Sequence, residues 1–233
     1  MSTVYLIPSL LAEDAIETIP AYILPAVKEC QVMFVENERT ARRFLKQLDK
    51  NIVIDDFRWY PIHKAEEEQL IEFRNCLKQD LSIGIISEAG CPGVADPGQI
   101  LIAAAQDAGA RIKPLVGPSS ILLSLMASGM NGQQFEFIGY LPVDTAARVK
   151  KIRELELLSA KQNSTKIFIE TPYRNNQLLD SLLEHVSPGT RLCIAVDITG
   201  KSESIRTKTI SDWKKNKPSL HKIPVIFLLQ AGS

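Results

Sequence analysis

Short apolar, β-branched runs alternate with longer stretches whose apolar residues recur at three- and four-residue spacing. In the first half, residues 4–7, closed by Pro8, predict a strand, as do 32–35, 52–54, 82–86 and the shorter 111–115. Between them, residues 40–48, 65–77 and 99–108 carry the helical spacing, and Gly109 stands where a helix C-terminus favours glycine. The second half changes character. A helix is expected over 119–128, after Gly117-Pro118, and a charged one over 148–158. Strands are expected over 135–139, 166–170, 192–196, 204–209 and 224–229. The stretch from Thr190 to Thr209 has little helical pattern, which predicts antiparallel pairing. Alternation of this kind gives an α/β fold. The expectation is two α/β domains, 1–115 and 116–233, each built on a five-stranded mixed sheet.

Composition narrows the class. The 233 residues are 45% hydrophobic and 23% charged, which excludes a disordered chain and a coiled coil. Net charge is zero, so bulk attraction to nucleic acid or acidic membrane is not expected. The sum hides an asymmetry: residues 1–100 carry 10 basic and 16 acidic side chains, residues 101–233 carry 17 and 11. A polyanionic substrate is therefore compatible with the second half alone. Cys30, Cys76, Cys91 and Cys193 are scattered, with no metal-binding spacing, and read as reduced thiols of a cytoplasmic protein. His63, His185 and His221 form no ligand cluster, so no metal is expected. No basic segment precedes Lys28 and no run of 18 apolar residues occurs, so neither a signal peptide nor a membrane span is expected.

Three loops carry candidate chemistry. Ser87-Glu88-Ala89-Gly90-Cys91-Pro92-Gly93-Val94-Ala95-Asp96-Pro97-Gly98 joins a buried-type strand to a helix. Ligands of open α/β sheets sit outside the carboxyl ends of strands, and glycines there allow close backbone approach. The stretch matches neither a dinucleotide fingerprint nor a P-loop, and a long capped turn, with Asp96 as cap, is the competing reading. Val116-Gly117-Pro118-Ser119-Ser120 opens a helix whose first N–H groups can cap locally or bind polar ligand atoms. Glu170-Thr171-Pro172-Tyr173-Arg174 follows a strand and suits either a pocket wall or an exposed helix start.

In this order, the loops resemble the tetrapyrrole methylase superfamily, and within it the branch that methylates a ribose 2′-hydroxyl of small-subunit ribosomal RNA. The family loop Ser-Asp-Ala-Gly-Thr-Pro-x-x-Ser-Asp-Pro-Gly corresponds to residues 87–98. Gly-Pro-Ser-Ala corresponds to Gly117-Pro118-Ser119-Ser120, the following Ala-Ser-Gly to Ala127-Ser128-Gly129, and Gly-Phe-Leu-Pro to Gly139-Tyr140-Leu141-Pro142. Tyr-Glu-Ser-Pro-His-Arg corresponds to Ile169-Glu170-Thr171-Pro172-Tyr173-Arg174. The N-terminal motifs depart: Pro8-Ser9-Leu10-Leu11 lacks the family Gly-Asn, and Val35-Glu36-Asn37-Glu38-Arg39 lacks its Asp.

The resemblance implies an S-adenosylmethionine (SAM)-dependent methyltransferase with the cofactor in the cleft between two domains. It implies cofactor contacts from Pro8, Gly90, Pro92, Gly93, Val94 and Asp96, with Ser119 and Ser120 near the carboxylate end. Thr171, Pro172, Ala195, Pro224 and Val225 are implied around the adenosine. Candidate catalytic groups are Glu36, Glu88 and His63, each of which has an ordinary structural reading as an ion pair, a cap or a half-buried ring. The implied acceptor is ribosomal RNA; the alternatives are a tetrapyrrole or other small molecule, or a SAM-binding protein whose chemistry has decayed. A homodimer is implied as well. Basic clusters at Arg148, Lys150, Lys151 and Arg153, and at Lys214, Lys215, Lys217 and Lys222 beside Trp213, suit either phosphate contact or a solvated face.

Overall fold

The computed structural model describes residues 1–62 and 66–232. The chain forms two compact units, Met1–Ser119 and Ser120–Ser233.

The first unit contains β1 (Thr3–Ile7), α1 (Ile23–Glu29), β2 (Val32–Val35), α2 (Glu38–Leu48), β3 (Arg58–Pro61), α3 (Glu66–Lys78), β4 (Ile83–Ile86), α4 (Gln99–Asp107) and β5 (Arg111–Pro114). The strands form one sheet in the order β3-β2-β4-β1-β5. Every pairing in it is parallel, whereas a mixed sheet was expected. The reason is that a helix follows each of β1 to β4, so each strand re-enters in the same direction. β2 and β4 are buried along their whole length, as strands covered on both faces must be. One face packs α1 and α2 through Ile23, Val27, Phe44 and Leu45. The other packs α3 and α4 through Phe73, Cys76, Leu101 and Ala105.

Two elements of this unit differ from the sequence reading. Residues 52–54 form no strand; they lead into a 3-10 turn at Ile54–Asp56, and the third strand is Arg58–Pro61. That strand lies at the sheet edge, where half-burial suffices and Pro61 is tolerated because an edge residue has no second neighbour to bond. The Trp59 indole N–H donates to Ile54 O at 3.0 Å and ties the turn down. Helix α1 lies in a stretch for which the sequence pattern predicts no element; its Pro25 sits in the first turn, where the missing N–H has no intrahelical role.

The second unit contains α5 (Ser120–Ser128), β6 (Phe135–Tyr140), α6 (Thr145–Gln162), β7 (Thr165–Ile169), α7 (Asn175–His185), β8 (Arg191–Val196), β9 (Ser204–Thr209), α8 (Ile210–Lys215) and β10 (Val225–Gln230). Its sheet runs β6-β7-β10-β8-β9 and is mixed, with β6 and β7 parallel and the other pairs antiparallel. β8 and β9 pair antiparallel over their full length, as the pattern between Thr190 and Thr209 predicts. The core joins Ile152, Leu155, Leu178, Leu182, Trp213 and Phe227 on the α6, α7 and α8 side of the sheet. No described helix is long and apolar enough to cross a membrane.

Candidate functional site

Because the first sheet is parallel throughout, the loops after β1, β2, β4 and β5 leave from one edge, and these hold the motifs of the first unit. The loops are stitched together. Ser9 N–H donates to Gly90 O at 2.9 Å, Gly90 N–H returns to Ser9 O at 3.3 Å, and the Ser9 hydroxyl donates to Ser87 O at 3.0 Å. The Cys91 thiol contacts Pro118 O at 3.6 Å. Gly117 lies against Pro8 so closely that a Cβ on it would stand 2.1 Å from Pro8 Cβ. Pro8, Gly90, Pro92 and Pro118 are buried at this junction.

The backbone of 90–98 turns through four left-handed residues: Gly90 at φ +71°, Gly93 at +76°, Ala95 at +64° and Gly98 at +120°. Gly93 is needed for packing as well, since a Cβ there would lie 2.9 Å from Ile102 Cδ1. Gly93 N–H donates to Pro97 O at 3.2 Å, which closes the loop on itself. Val94, half exposed, projects from it into solvent. Asp96 does not cap α4, contrary to the capped-turn alternative. The N-cap position is Gly98, and Glu66 Oε1, from the start of α3, accepts from Gly98 N–H at 3.0 Å and Ile100 N–H at 2.9 Å. Sequence reading missed Glu66; the acidic run Glu66-Glu67-Glu68 was the available signal.

Asp96 instead joins a carboxylate group. Burial pushes its pKa up to about 7, and the nearby Glu36 and Glu88 push the same way. Glu36 Oε2 accepts from Glu88 N–H at 2.8 Å, and Glu36 N–H donates to Ile86 O at 3.0 Å, so Glu36 clamps the strand-to-loop transition. The Thr40 hydroxyl reaches Glu88 Oε1 at 3.4 Å. Thus three of the singled-out carboxylates lie together, while His63 falls outside the described residues. Among the described residues no group of three or more His, Cys, Asp or Glu is placed to hold a metal ion. Beside Glu88 opens a cavity of about 240 Å³, lined among others by Leu10, Leu11, Thr40, Phe44 and Ile86.

Ser119 and Ser120 lie at the last residue of the first unit and the first of α5. In the second unit, Glu170 is buried at the end of β7. Its Oε1 accepts from Thr171 N–H at 2.7 Å and from Arg174 Nε and Nη2 at 3.0 and 2.7 Å. This holds Thr171 and Pro172 half-buried at the start of α7 and leaves Tyr173 exposed. Pro172 O accepts from Lys222 N–H at 3.0 Å, which brings the segment before β10 alongside. Pro224 is exposed there, whereas Ala195 and Val225 are buried within the sheet.

The basic segments divide. Arg148 is buried and structural, donating to Val143 O at 2.9 Å and Ser181 Oγ at 3.1 Å. Trp213 is buried, its indole N–H bound to Leu192 O at 2.8 Å, so it has no face for base stacking. Cys30, Cys76 and Cys193 are buried core thiols, and Cys91 is partly exposed on the glycine-rich loop.

The profile of the tetrapyrrole (corrin/porphyrin) methylases matches residues 17–213. The chain is 29% identical over 189 residues to ribosomal RNA small subunit methyltransferase I of Vibrio cholerae, covering 81% of this chain and 63% of that protein. It is 36% identical over 129 residues to the protein of the same name from Mesorhizobium japonicum, covering 55% and 42%. The chain thus spans less than two thirds of the length of these relatives. Among solved structures, the methyltransferase CobJ superposes with a TM-score of 0.65 at 17% identity, covering 99% of this chain and 93% of that one. Uroporphyrin-III-C-methyltransferase from Thermus thermophilus superposes with a TM-score of 0.56 at 17% identity, covering 98% and 91%. At this identity the likeness is one of fold.

Proposed function

The chain belongs to the tetrapyrrole methylase family, and on that premise we propose that it is a SAM-dependent methyltransferase of small-subunit ribosomal RNA acting on a ribose 2′-hydroxyl. The observation that carries this reading is the stitched set of loops at the carboxyl edge of the parallel sheet, where this fold class places ligands. The residues fit the cofactor. An open turn of left-handed backbone with an exposed Val94 offers a low wall for the methionine portion, and the carboxyl groups of Glu88 and Asp96 suit a cationic sulfonium and ammonium.

SAM supplies an activated methyl group, so the protein's tasks are alignment, exclusion of water and acceptance of one proton from the hydroxyl. Pro8, Gly90, Pro92, Gly93, Val94, Asp96, Ser119 and Ser120 are the proposed cofactor contacts of the first motif set. Thr171, Pro172 and Pro224 are those of the adenosine set, with Ala195 and Val225 as buried supports beneath them. Glu88 is the proposed proton acceptor, held in place by Glu36 through its backbone N–H. Asp96, near neutrality, is a second carboxyl able to take the proton, and His63 a third candidate. The acceptor is assigned from the sequence relatives, whose names specify ribosomal RNA; the structural neighbours speak for the fold alone. The reading places the protein in the cytoplasm as a homodimer, which sedimentation equilibrium tests.

Calorimetric titration with SAM and S-adenosylhomocysteine tests the cofactor. Val94→Trp is the variant of choice, because Val94 is exposed and Gly93 has no room for a side chain. Saturable binding, weakened at least about tenfold in Val94→Trp, is expected. Transfer of labelled methyl to unmodified small ribosomal subunits is expected in the same preparation. Absence of SAM binding by the unaltered protein, with subunits present, sinks the proposal. Binding without transfer to subunits or to a tetrapyrrole makes the chain a SAM-binding protein.

A further inference from the structure

A cavity of about 700 Å³ opens in the second unit at the corner where β9 runs into α8. β9 is one of the two edge strands of its sheet, β6 being the other. The walls include Arg191 at the start of β8, Thr207, Lys208 and Thr209 at the end of β9, and Asp212 and Lys215 of α8. Two of the cations are held in position. Arg191 Nη2 donates to Gly129 O at 2.6 Å, and the Lys208 ammonium lies 4.6 Å from the centroid of the buried Trp213 ring. Asp212 pairs with Lys215 at 2.8 Å and accepts from the Thr209 hydroxyl at 2.9 Å; these contacts hold its carboxyl below the usual range. It offsets one lysine and leaves the cavity net positive. The charge extends beyond the walls: residues 191–217 carry seven Lys and Arg against three Asp and Glu, and Arg206 is exposed on the same edge strand.

The chemistry of the walls selects a ligand. None of the lining residues is apolar or aromatic, so the cavity offers no anchor for a hydrophobic side chain or a lipid tail. With Trp213 buried it offers no ring for a base to stack on. What remains is a set of cations and hydroxyl groups, the donors that bind phosphate and ribose oxygens and position a nucleic acid without reading its sequence. We propose that this cavity is a phosphodiester-binding surface that holds the backbone of the RNA substrate. The proposal rests on the ribosomal RNA reading above and adds to it a contact surface outside the cofactor motifs.

Fluorescence anisotropy with labelled single-stranded RNA from the small-subunit ribosomal RNA, titrated over a range of salt, tests it. Each phosphate contact contributes about 0.7 to the slope of log affinity against log salt for a single strand. Arg206→Gln/Lys208→Gln/Lys215→Gln is expected to lower that slope by about 2 and to weaken binding at physiological salt by roughly 10–100-fold. SAM binding is expected to stay unchanged, and Lys208→Arg/Lys215→Arg to keep the original slope. If the triple variant does not fold, the exposed single variants Arg206→Gln and Lys215→Gln carry the test, each losing about 0.7. An unchanged slope overturns the proposal, as does an unaltered protein that binds this RNA without salt dependence. Increased self-association with unchanged RNA affinity also overturns it, and marks these cations as guards of an unpaired sheet edge. The two readings fail separately. Loss of slope in a protein that binds no SAM removes the methyltransferase and leaves the surface standing; methyl transfer with an unchanged slope does the reverse.

Discussion

Gly117 shows how the site depends on single atoms. A Cβ at this position meets a rigid proline ring 2.1 Å away, and neither partner has a rotamer to yield with. Gly117→Ala is therefore expected to cost about 1–3 kcal/mol through forced separation of the β1 and β5 loops, read from the urea midpoint, and to weaken SAM binding in parallel. Asp96 makes a second, pH-dependent case. Its folded pKa of about 7 lies above its unfolded value, so the folded state binds the extra proton. Stability from this group is thus full below the unfolded pKa and declines as pH rises toward 7. Asp96→Asn is expected to flatten that decline, so the variant gains on the unaltered protein between pH 5 and pH 8 in urea titrations. A fall in its relative stability over that interval refutes the assignment.

At the scale of elements, the exit of the glycine-rich loop is governed by a residue from another helix. Glu66 Oε1 accepts two N–H bonds at the start of α4, a task usually performed by a local cap. Glu66→Ala leaves these donors without their acceptor and is expected to cost about 1–2 kcal/mol. It is also expected to loosen the loop, seen as faster amide exchange over residues 90–100 and weaker SAM binding. The element boundaries show where sequence reading succeeded. β1, β2 and β4 were legible because strands buried on both faces are short, continuous apolar runs. β3 was misplaced because an edge strand need not be apolar, and Ile52-Val53-Ile54 offered a better local match. α7 carries a clear stripe at Leu178, Leu179, Leu182 and Leu183, yet the loop before it drew the functional reading. α6 starts three residues before the predicted span, where Asp144 caps it, and ends four residues beyond it, at Asn163, left-handed at φ 47°.

At the scale of the whole molecule, each unit has its own sheet and core, and in each the middle strand, β4 or β10, is bonded on both sides. Amides of β4 and β10 are accordingly expected to exchange slowest with solvent, and those of the edge strands β3, β5, β6 and β9 fastest. Slow exchange at β9 in the isolated chain contradicts the strand order. Added RNA is expected to slow β9 and α8 selectively if the cavity there holds its backbone.

The sequence by itself determined the α/β class, the positions of most strands along the chain and the candidate loops. These are local properties: burial sets the length and content of each apolar run, and glycine and proline mark turns wherever they stand. The resemblance at residues 87–98, 117–120 and 169–174 was likewise visible in the chain and pointed to the family that the profile match then showed. Only the tertiary structure decided that the first sheet is wholly parallel. It alone decided that Glu66 rather than Asp96 caps α4, and that Glu36, Glu88 and Asp96 share one environment. It also took Arg148 and Trp213 out of the solvent and assembled Arg191, Lys208 and Lys215 around one cavity. The physical reason is common to these cases. A side chain's charge and hydrogen-bonding capacity are written in the sequence, but its partners come from elements tens of residues away, and they decide whether a charge is a structural tie or a binding group.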